Sequence, residues 1–411
     1  MNLFYNLFIA LAQLLLPIAA IFDKKLRLFL HGRRETFKLL EAEISLTDKV
    51  FWIHAASLGE FEQGRPIIEK YKAANPDVKV VLTFFSPSGY EVRKKYSEAD
   101  VVCYLPIDSK KNVKRFLDMV HPSHAVFVKY EFWPNLLEEL KNRKISTILI
   151  SGIFRKEQAF FNWYGQFMKK ALEAFSYFFV QDQNSEDLLK SIGFQNVKTC
   201  GDTRFDRVLE ITQQDNSLDF IEEFVGNSHV LVAGSTWKED EELLVEYINS
   251  SSTEKEKFII APHNMIPSDL ENLKKSISKK AVLFSEMKGK SLLDYEVFIV
   301  DTIGILTKIY SYADVAYVGG GYTKSGVHNV LEPASYGVPV LIGPNFRKFN
   351  EARELVEKGG CLVVDSQEKL SLTLQEFLKD EISLKKVSAT SLNYVKSKAG
   401  ATYQILKYLN S

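Results

Sequence analysis

Residues 317–345 read YVGGGYTKSGVHNVLEPASYGVPVLIGPN, the densest structural signal in the chain. An apolar run ends at three glycines at 319–321, a helical pattern begins near Val330 with Glu332 in its first turn, and the apolar run VPVLI follows. A strand, a flexible turn, a helix and a second strand in this order are typical of one unit of a parallel α/β sheet. This stretch therefore predicts the fold class.

The same stretch carries candidate ligand-binding groups. The glycines and the helix N-terminus offer backbone amides to an anion, and Glu332 is positioned to accept two ribose hydroxyls. The pattern is neither the dinucleotide fingerprint GxGxxG nor the P-loop GxxxxGK[ST]. A structural role for Glu332, as a partner of the helix dipole, is the alternative.

Outward from this unit, fourteen short apolar runs alternate with helical patterns at a spacing of roughly 20–30 residues. Many runs are continuously β-branched or aromatic, as expected for parallel strands that helices cover on both faces. The polar stretch 212–219 is the best linker and separates two similar halves. The predicted strands are 50–53, 79–84, 101–104, 125–128, 147–150, 178–180 and 197–200 in the first half, and 229–233, 257–260, 281–284, 297–300, 315–318, 338–342 and 362–364 in the second.

The composition agrees with two globular domains. The 411 residues exceed one ordinary core, and apolar and charged fractions of 46% and 25% exclude wholesale disorder, collagen and coiled coil. Lys+Arg 52 equals Asp+Glu 52, so no global basic field attracts nucleic acid. The three cysteines, Cys103, Cys200 and Cys361, lack the CxxC spacing of metal sites and are predicted to be reduced, small core residues.

The first forty residues differ from the rest. The run at 3–22, LFYNLFIALAQLLLPIAAIF, has no charged residue and matches the ~20 residues that a membrane-crossing helix needs. Residues 1–40 carry a net charge of +4, and their basic residues follow the apolar run. The positive-inside rule therefore places the bulk of the chain on the cytoplasmic side, with the apolar run as an anchor.

Other arrangements of this segment stay open. A secretory signal peptide fits less well, because in a signal peptide the basic residues precede the apolar run and an AxA-like cleavage site ends it. In this chain the basic residues follow the run, and no such site is present. A helix that lies on the membrane surface or is buried in the fold remains possible, because Asn6 and Pro17 weaken a straight span.

Three charged residues in the first half follow predicted strands. Glu60, in HAASLGE, either points into a cleft as a general base or completes a capping box with Ser57. Glu131, in VFVKYEFWPN, is an acid whose pKa desolvation raises, or else it pairs with Lys129. Arg204, in TCGDTRFD, suits an anionic group, although an ion pair with a neighbouring aspartate is the commoner outcome.

The second half offers an anion site and two similar loops. Ser235 and Thr236 follow its first predicted strand and either bind an anion or cap the next helix. His263 follows the next strand after a proline, and DTIG at 301–304 repeats the pattern.

Six motifs run in order through the chain: HAASLGE (54–60), YEFWPN (130–135), GDTRFD (201–206), AGSTW (233–237), DTIG (301–304) and HNVLEPASYGVPVLIGPN (328–345). In these motifs the chain resembles the 3-deoxy-D-manno-octulosonic acid (Kdo) transferases, sugar transferases of the GT-B fold. The last motif occurs in many GT-B enzymes, and the first two narrow the match to this family. The resemblance implies an α/β, GT-B architecture of two Rossmann-like doubly wound domains that face a cleft, with an N-terminal membrane-anchor helix.

The resemblance implies transfer of Kdo from CMP-Kdo to a lipid A precursor, lipid IVA, in lipopolysaccharide synthesis on the cytoplasmic side of the inner membrane. A single displacement implies inversion, with no metal or other cofactor and no nucleic-acid partner. Glu60 falls on the proton acceptor of the family, and Glu131 and Arg204 fall on positions that stabilise the transition state. With the anion site added, the predicted CMP-sugar-binding residues are Ser235, Thr236, Pro262, His263, Ile303, Gly304, Ile305, Gly320, Asn329, Val330, Leu331 and Glu332.

The expected domains are an anchor at 1–30, an acceptor-binding domain at 31–212 and a CMP-sugar-binding domain at 213–411, with the last helix packing back on the first domain. The sequence departs from the family at three positions: Arg204 stands where Lys is common, His263 where Arg is common and Ile305 where Glu is common. Arg204 preserves the charge, whereas the contacts of His263 and Ile305 stay open.

Two other functions remain open. Another GT-B nucleotide-sugar transferase or a sugar-nucleotide epimerase shares the signature of the second half, although it does not require the apolar anchor. A non-catalytic two-domain sugar-binding protein also has a cleft, although it has no need of the carboxylate that follows HAASLG.

Overall fold

The computed structural model describes residues 2–411, which form two α/β domains. The first domain contains residues 2–206 and 399–411, and the second contains Arg207–Lys398. The chain passes from one domain to the other inside a helix, Thr203–Thr212, six residues before the predicted boundary. The polar stretch that follows this helix is therefore already part of the second domain.

The first domain is built on seven parallel strands between helices. Its strands are β1 Val50–Ala55, β2 Lys79–Phe84, β3 Val101–Tyr104, β4 His124–Val128, β5 Ser146–Gly152, β6 Tyr177–Val180 and β7 Val197–Thr199. Its helices are α1 Asn2–Phe22, α2 Lys24–Glu43, α3 Leu58–Ala74, α4 Pro87–Arg93, α5 Lys110–Val120, α6 Pro134–Asn142, α7 Gln166–Leu172, α8 Gln183–Ser191 and α9 Thr203–Thr212, joined by the last helix of the chain.

The second domain repeats this plan. Its strands are β8 His229–Thr236, β9 Glu256–Pro262, β10 Ala281–Leu283, β11 Val297–Ile299, β12 Val315–Val318, β13 Val340–Ile342 and β14 Cys361–Val363. Its helices are α10 Asp219–Val225, α11 Lys238–Ser250, α12 Pro267–Ser276, α13 Leu306–Ile309, α14 Leu331–Ser335, α15 Asn350–Lys358, α16 Gln367–Lys379 and α17 Glu381–Lys398, and α18 Ala401–Leu409 returns to the first domain.

The strands form because their side chains are apolar on both faces. All six residues of β1 are buried, and successive side chains enter opposite cores: Trp52 packs with Phe127 on one face, and Phe51 and Ile53 pack on the other. The three cysteines are buried, as predicted. All fourteen predicted strands are present, and their ends differ from the prediction by up to three residues.

The strand order defines where each sheet can hold a ligand. The first sheet runs β3-β2-β1-β4-β5-β6-β7, and the second runs β10-β11-β9-β8-β12-β13-β14. The order reverses between β1 and β4 in one sheet and between β8 and β12 in the other. Loops that leave the carboxyl ends of these four strands diverge and leave a crevice. The motifs HAASLGE, YEFWPN, AGSTW and the triglycine all lie at these four strand ends.

The helix α18 is held in the first domain by both packing and hydrogen bonds. Ile405 and Leu409 are buried in the same core as β1. Asp206 accepts hydrogen bonds from the backbone amides of Gly400 (2.6 Å) and Thr402 (2.9 Å) and from the Thr402 hydroxyl (3.0 Å). Asp206 therefore caps a helix that begins almost two hundred residues later in the chain.

Replacing Asp206 with alanine should destabilise the first domain by about 2 kcal/mol, because two amides at the start of α18 lose their acceptor. Urea unfolding of the full chain, followed by tryptophan fluorescence, measures the change, since Trp52 is buried in this domain. Asp77→Ala, at an exposed position of the same domain, is the matched control. Equal midpoints for the two variants would contradict the capping role.

Candidate active site

Glu60 lies in the first turn of α3, directly after β1. Ser57 is the N-cap residue, but its hydroxyl makes no hydrogen bond to a backbone amide. The hydroxyl donates instead to the Glu60 carboxylate at 2.9 Å. The predicted capping box is therefore absent from this turn, and Ser57 orients the carboxylate of a half-buried Glu60.

Glu131 lies in the loop that leaves the neighbouring strand β4. Lys129 turns the chain at the end of this strand with a φ of 63°, a left-handed conformation that is uncommon for residues other than glycine. The Glu131 carboxylate lies 3.0 Å from His54 Nε2 and accepts a hydrogen bond of 2.8 Å from Trp133 Nε1. Burial raises the pKa of Glu131, but the hydrogen bonds from His54 and Trp133 outweigh burial and hold the pKa below its ordinary value. The predicted rise in its pKa is therefore wrong.

His54 was not among the predicted site residues, because it continues the apolar strand β1. Its Nδ1 lies 2.9 Å from Thr83 Oγ1, and Trp52 Nε1 donates to the same oxygen at 2.9 Å. The same Nδ1 also lies 3.1 Å from the Thr83 carbonyl oxygen, so the ring is held by Thr83 on one side and by Glu131 on the other. The sequence does show a polar residue, His54, within the apolar stretch VFWIHA. The structure shows that this side chain is fully buried, which is uncommon for a polar residue without a specific partner. His54 therefore positions Glu131.

Arg204 forms the ion pair that was considered as its alternative role. Its Nε and Nη2 both lie 2.9 Å from Asp202 Oδ2. The same oxygen accepts a hydrogen bond of 2.8 Å from Gln63 Nε2, one turn after Glu60 in α3. The guanidinium is thereby connected through Asp202 to the helix that carries Glu60.

Tyr130, the residue before Glu131, lies within reach of the charge of Glu60. Burial raises the pKa of Tyr130, the charges of Asp182 and Glu60 raise it further, and the charge of Arg155 opposes them. The structure therefore gathers Glu60 and Glu131 at the carboxyl edge of the first sheet, beside the reversal between β1 and β4.

In the second domain, Ser235 and Thr236 lie inside β8 rather than after it. The register with β9 shifts between Gly234 and Thr236, where Ser235 bulges with a φ of 54°. The Thr236 hydroxyl donates to Glu241 at 3.0 Å, and the N-cap residue of α11 is Trp237. The expectation that Ser235 or Thr236 caps this helix is therefore wrong.

The triglycine serves close packing. A Cβ atom on Gly319 would overlap the backbone of Ser235, and one on Gly321 would lie 2.5 Å from the amide nitrogen of Gly343. The Gly320 amide donates at 2.8 Å to Asp240, which also accepts from the Tyr317 hydroxyl at 2.7 Å. This amide, predicted to bind an anion, is already bonded to protein.

Asp240, in the first turn of α11, is the residue that orders this turn, and it was not among the predicted site residues. It is fully buried, and its carboxylate also accepts a hydrogen bond of 2.9 Å from the Trp237 amide. Burial raises the pKa of Asp240, and three donors oppose that rise. The carboxylate joins the ends of β8 and β12 at the reversal of strand order.

His263 takes part in a stack of three aromatic rings. Its ring lies 4.7 Å from that of Trp237 and 4.5 Å from that of His328, with interplanar angles of 19° and 25°. Trp237 Nε1 donates to His328 Nε2 at 2.9 Å. Burial and then His263 lower the pKa of His328, so that its ring stays neutral and can accept this bond. Stacked flat faces suit a planar base or sugar ring.

Glu332 accepts hydrogen bonds from two side chains. Its Oε1 accepts from Asn329 Nδ2 at 3.0 Å, and its Oε2 accepts from the Thr307 hydroxyl at 3.2 Å. Asn329 Oδ1 in turn accepts from the Leu331 amide at 3.1 Å. Glu332 is therefore held in a defined orientation and has more than a helix-dipole role. Asn329 and Thr307 are neutral donors for which sugar hydroxyls can substitute.

The remaining predicted CMP-sugar residues have apolar side chains or none, so their polar groups are those of the backbone. Pro262 ends β9, and the amide of His263 bonds the Thr236 carbonyl at 2.8 Å. The side chains of Val330 and Leu331 are buried, whereas Ile303 is 87% exposed beside Gly304, whose φ is 99°. Ile305 is the N-cap residue of α13. Among residues 2–411, no cluster of three or more His, Cys, Asp or Glu side chains could hold a metal ion.

Comparisons with known proteins show which family the chain is similar to. Residues 31–207 match the family model for 3-deoxy-D-manno-octulosonic-acid transferase (kdotransferase). A 3-deoxy-D-manno-octulosonic acid transferase from Aquifex aeolicus is 29% identical over 348 residues, which cover 82% of this chain and 89% of the relative. Over most of its length the chain is therefore similar to Kdo transferases. The names of these relatives identify it as an enzyme, a glycosyltransferase.

Solved structures agree with the fold of this chain. A UDP-GlcNAc 2-epimerase from Neisseria meningitidis superposes with a TM-score of 0.60 at 16% identity, covering 88% of this chain and 99% of that one. MurG from Acinetobacter baumannii superposes with a TM-score of 0.54 at 10% identity, with the same coverage. The predicted GT-B fold class is confirmed.

Asp240→Ala should destabilise the second domain by roughly 3 kcal/mol, because the Gly320 amide, the Trp237 amide and the Tyr317 hydroxyl all lose an acceptor. Urea unfolding measures the stability, and hydrogen–deuterium exchange should speed up in the segment 317–330. Glu239→Ala, its exposed neighbour on α11, is the control and should leave both unchanged. Unaltered exchange in Asp240→Ala would contradict the ordering role.

Proposed function

We propose that this enzyme transfers Kdo from CMP-Kdo to a lipid A precursor, lipid IVA, in lipopolysaccharide synthesis, with inversion at the anomeric carbon. The observation that carries the proposal is the pair of carboxylates at the reversal of strand order. Glu60 and Glu131 follow the adjacent strands β1 and β4 and are each oriented by a side-chain hydrogen bond. They lie in the domain that matches the family model.

Glu60 is the general base of the proposed reaction. A sugar hydroxyl is a weak nucleophile, so the Glu60 carboxylate accepts its proton while the hydroxyl oxygen bonds to the anomeric carbon. The bond between that carbon and the phosphate oxygen breaks, and its electron pair leaves with CMP. Ser57 supports this role because its hydrogen bond orients the carboxylate at the start of α3.

Glu131 and Arg204 stabilise charge in the proposed transition state. Positive charge builds on the sugar ring as the bond to phosphate breaks, and an ionised Glu131 counters it. The lowered pKa of Glu131 supports a carboxylate that stays ionised near neutral pH. Arg204, held by Asp202, supplies a cation for the anionic substrates.

The second domain is the proposed CMP-sugar domain. Glu332 exchanges its present donors for ribose hydroxyls, and the ring stack of Trp237, His263 and His328 offers a flat apolar face. The bulge at Ser235 and Thr236 and the loop 303–305 contribute backbone groups. We assign no metal or other cofactor to the reaction.

The proposed location is the cytoplasmic side of the inner membrane. Within residues 2–411, one helix, Phe4–Phe22, is long and apolar enough to cross a membrane by length and composition. The net charge of +4 over residues 1–40 supports a cytoplasmic position for the domains.

A sugar-nucleotide epimerase is the second candidate, because epimerases superpose on most of the chain. Incubation with labelled CMP-Kdo and lipid IVA separates the two functions. Kdo transferase activity releases CMP and labels the lipid. Turnover of UDP-GlcNAc without lipid labelling would favour the epimerase.

Glu60→Gln should lower the rate of transfer by about 10²- to 10⁴-fold, because the amide cannot accept the proton. The affinity for CMP, measured by calorimetry, should be unchanged. Glu62→Gln removes a carboxylate two residues away on the same helix and should retain activity. Normal transfer by Glu60→Gln would rule out the assignment of the base.

Trp133→Phe should move the acid limb of the pH–rate profile to higher pH by about one unit, because Glu131 loses a donor that favours its ionised form. The transfer rate of each variant is measured with the same assay from about pH 4 to about pH 8, the range in which carboxyl and imidazole groups titrate. Trp163→Phe, at an exposed position, should leave the profile in place. A purely structural Trp133 would lower the rate equally at every pH.

A further inference from the structure

The helix α1 contacts the first domain near both of its ends. At its N-terminal end, the Tyr5 hydroxyl donates to Asp108 at 2.7 Å, and Asn135 Nδ2 donates to Asn6 at 2.9 Å. At its C-terminal end, Ala20 is buried and lines a hollow together with residues of α2. The N-terminal end of α1 is therefore held by the body of the domain, and its C-terminal end lies beside α2.

The partner of Tyr5 belongs to a built polar site. Asp108 is 2% exposed, and its carboxylate also accepts hydrogen bonds from the amides of Asn135 (3.0 Å) and Leu136 (2.9 Å) at the start of α6. Burial raises the pKa of Asp108 to about 6, and the Tyr5 hydroxyl is one of the donors that oppose the rise. Withdrawal of Tyr5 would leave this buried carboxylate with one donor fewer.

A membrane crossing is incompatible with these bonds. A crossing helix would carry Tyr5 through a hydrocarbon core of about 30 Å, whereas Asp108 stays with the water-soluble domain. The side of α1 that faces away from the domain is nevertheless apolar. Its exposed side chains recur every three or four residues along the whole helix: Phe4, Leu7, Phe8, Leu11, Leu14, Leu15, Ile18, Ile21 and Phe22.

The helix α2 adds a row of positive charge beside this apolar face. Its exposed Lys24, Arg27, Arg34 and Lys38 lie three, seven and four residues apart and so share one face, on which Lys38 also pairs with Glu35 at 3.2 Å. The buried Arg33 points the other way and donates to the Phe85 carbonyl at 2.8 Å. A hollow of about 410 Å³ between α1 and α2 is lined by Pro17, Ala20, Ile21, Arg27, Leu30, His31 and Arg34.

We propose that α1 lies in the plane of the membrane surface without crossing it, and that the hollow beside it binds the phosphate of an anionic phospholipid. The apolar face of α1 enters the acyl region, and the basic row of α2 meets the lipid phosphates. A second copy of the chain is a poorer occupant, because a symmetric contact would oppose two rows of like charge. The inference concerns attachment only and does not depend on the reaction.

Depth measurements along α1 test its orientation. The three native cysteines are buried, so single cysteines at Leu7, Leu14 and Phe22 can be labelled with a fluorophore. Each variant is added to vesicles of phosphatidylglycerol and phosphatidylcholine that carry nitroxide quenchers at different depths. An in-plane helix places all three probes at one shallow depth, about 5–10 Å below the headgroups. A probe at Leu14 close to the bilayer centre, with Leu7 and Phe22 nearer to opposite surfaces, would overturn the proposal.

Vesicle binding tests the phosphate site. Arg27→Gln with Arg34→Gln should weaken binding to phosphatidylglycerol vesicles by about 10- to 30-fold at low salt and leave binding to phosphatidylcholine vesicles unchanged. Lys110→Gln with Lys111→Gln removes two exposed charges elsewhere in the first domain and should have little effect. Equal loss in both double variants, wild-type binding by the arginine variant, or a dimer that excludes vesicles would overturn the site. Because no sugar donor or acceptor is present, failure here leaves the proposed transfer reaction unaffected.

Discussion

Because the strands of each sheet run parallel, the turn after every strand emerges at one edge, and the reversal of strand order decides which turns diverge. In the first domain this reversal lies between β1 and β4, which brings His54 on one strand to Glu131 beyond the other. In the second domain it lies between β8 and β12, where Asp240 joins the two strand ends. The candidate catalytic and CMP-sugar groups depend on these two positions.

Buried carboxylates order the loops around these reversals. Glu131 and Asp240 each accept hydrogen bonds from N–H or O–H donors on a neighbouring strand end, and Asp108 does the same at the start of α6. A buried carboxylate without donors is costly, so each one holds its loop in the single arrangement that satisfies it. The pKa of Glu131 is lowered, whereas the pKa values of Asp240 and Asp108 are raised, because the donors outweigh burial only at Glu131.

The placement of Glu60 and Glu131 was predicted from a local pattern. Each follows an apolar strand in the structure, and position after a strand is readable from the sequence. The predicted roles of Ser57, Thr236 and Gly320 were less successful, because each depends on which partner competes for a hydrogen bond. The hydroxyl of Ser57 donates a hydrogen bond to a side chain rather than to a backbone group. The Thr236 hydroxyl donates to Glu241, and the Gly320 amide donates to Asp240. His54 was missed because a strand pattern identifies burial but does not show what a buried polar group contacts.

By itself the sequence determined the fourteen strands, the two α/β domains, the family motifs and an apolar segment followed by positive charge, because periodicity, composition and motif spacing are local properties of the chain. Only the tertiary structure decided that His54 meets Glu131, that Asp206 caps α18 and that Tyr5 reaches Asp108. These contacts join residues that lie 77 to 196 positions apart. Such pairs form because folding buries a polar group next to the one partner that satisfies it.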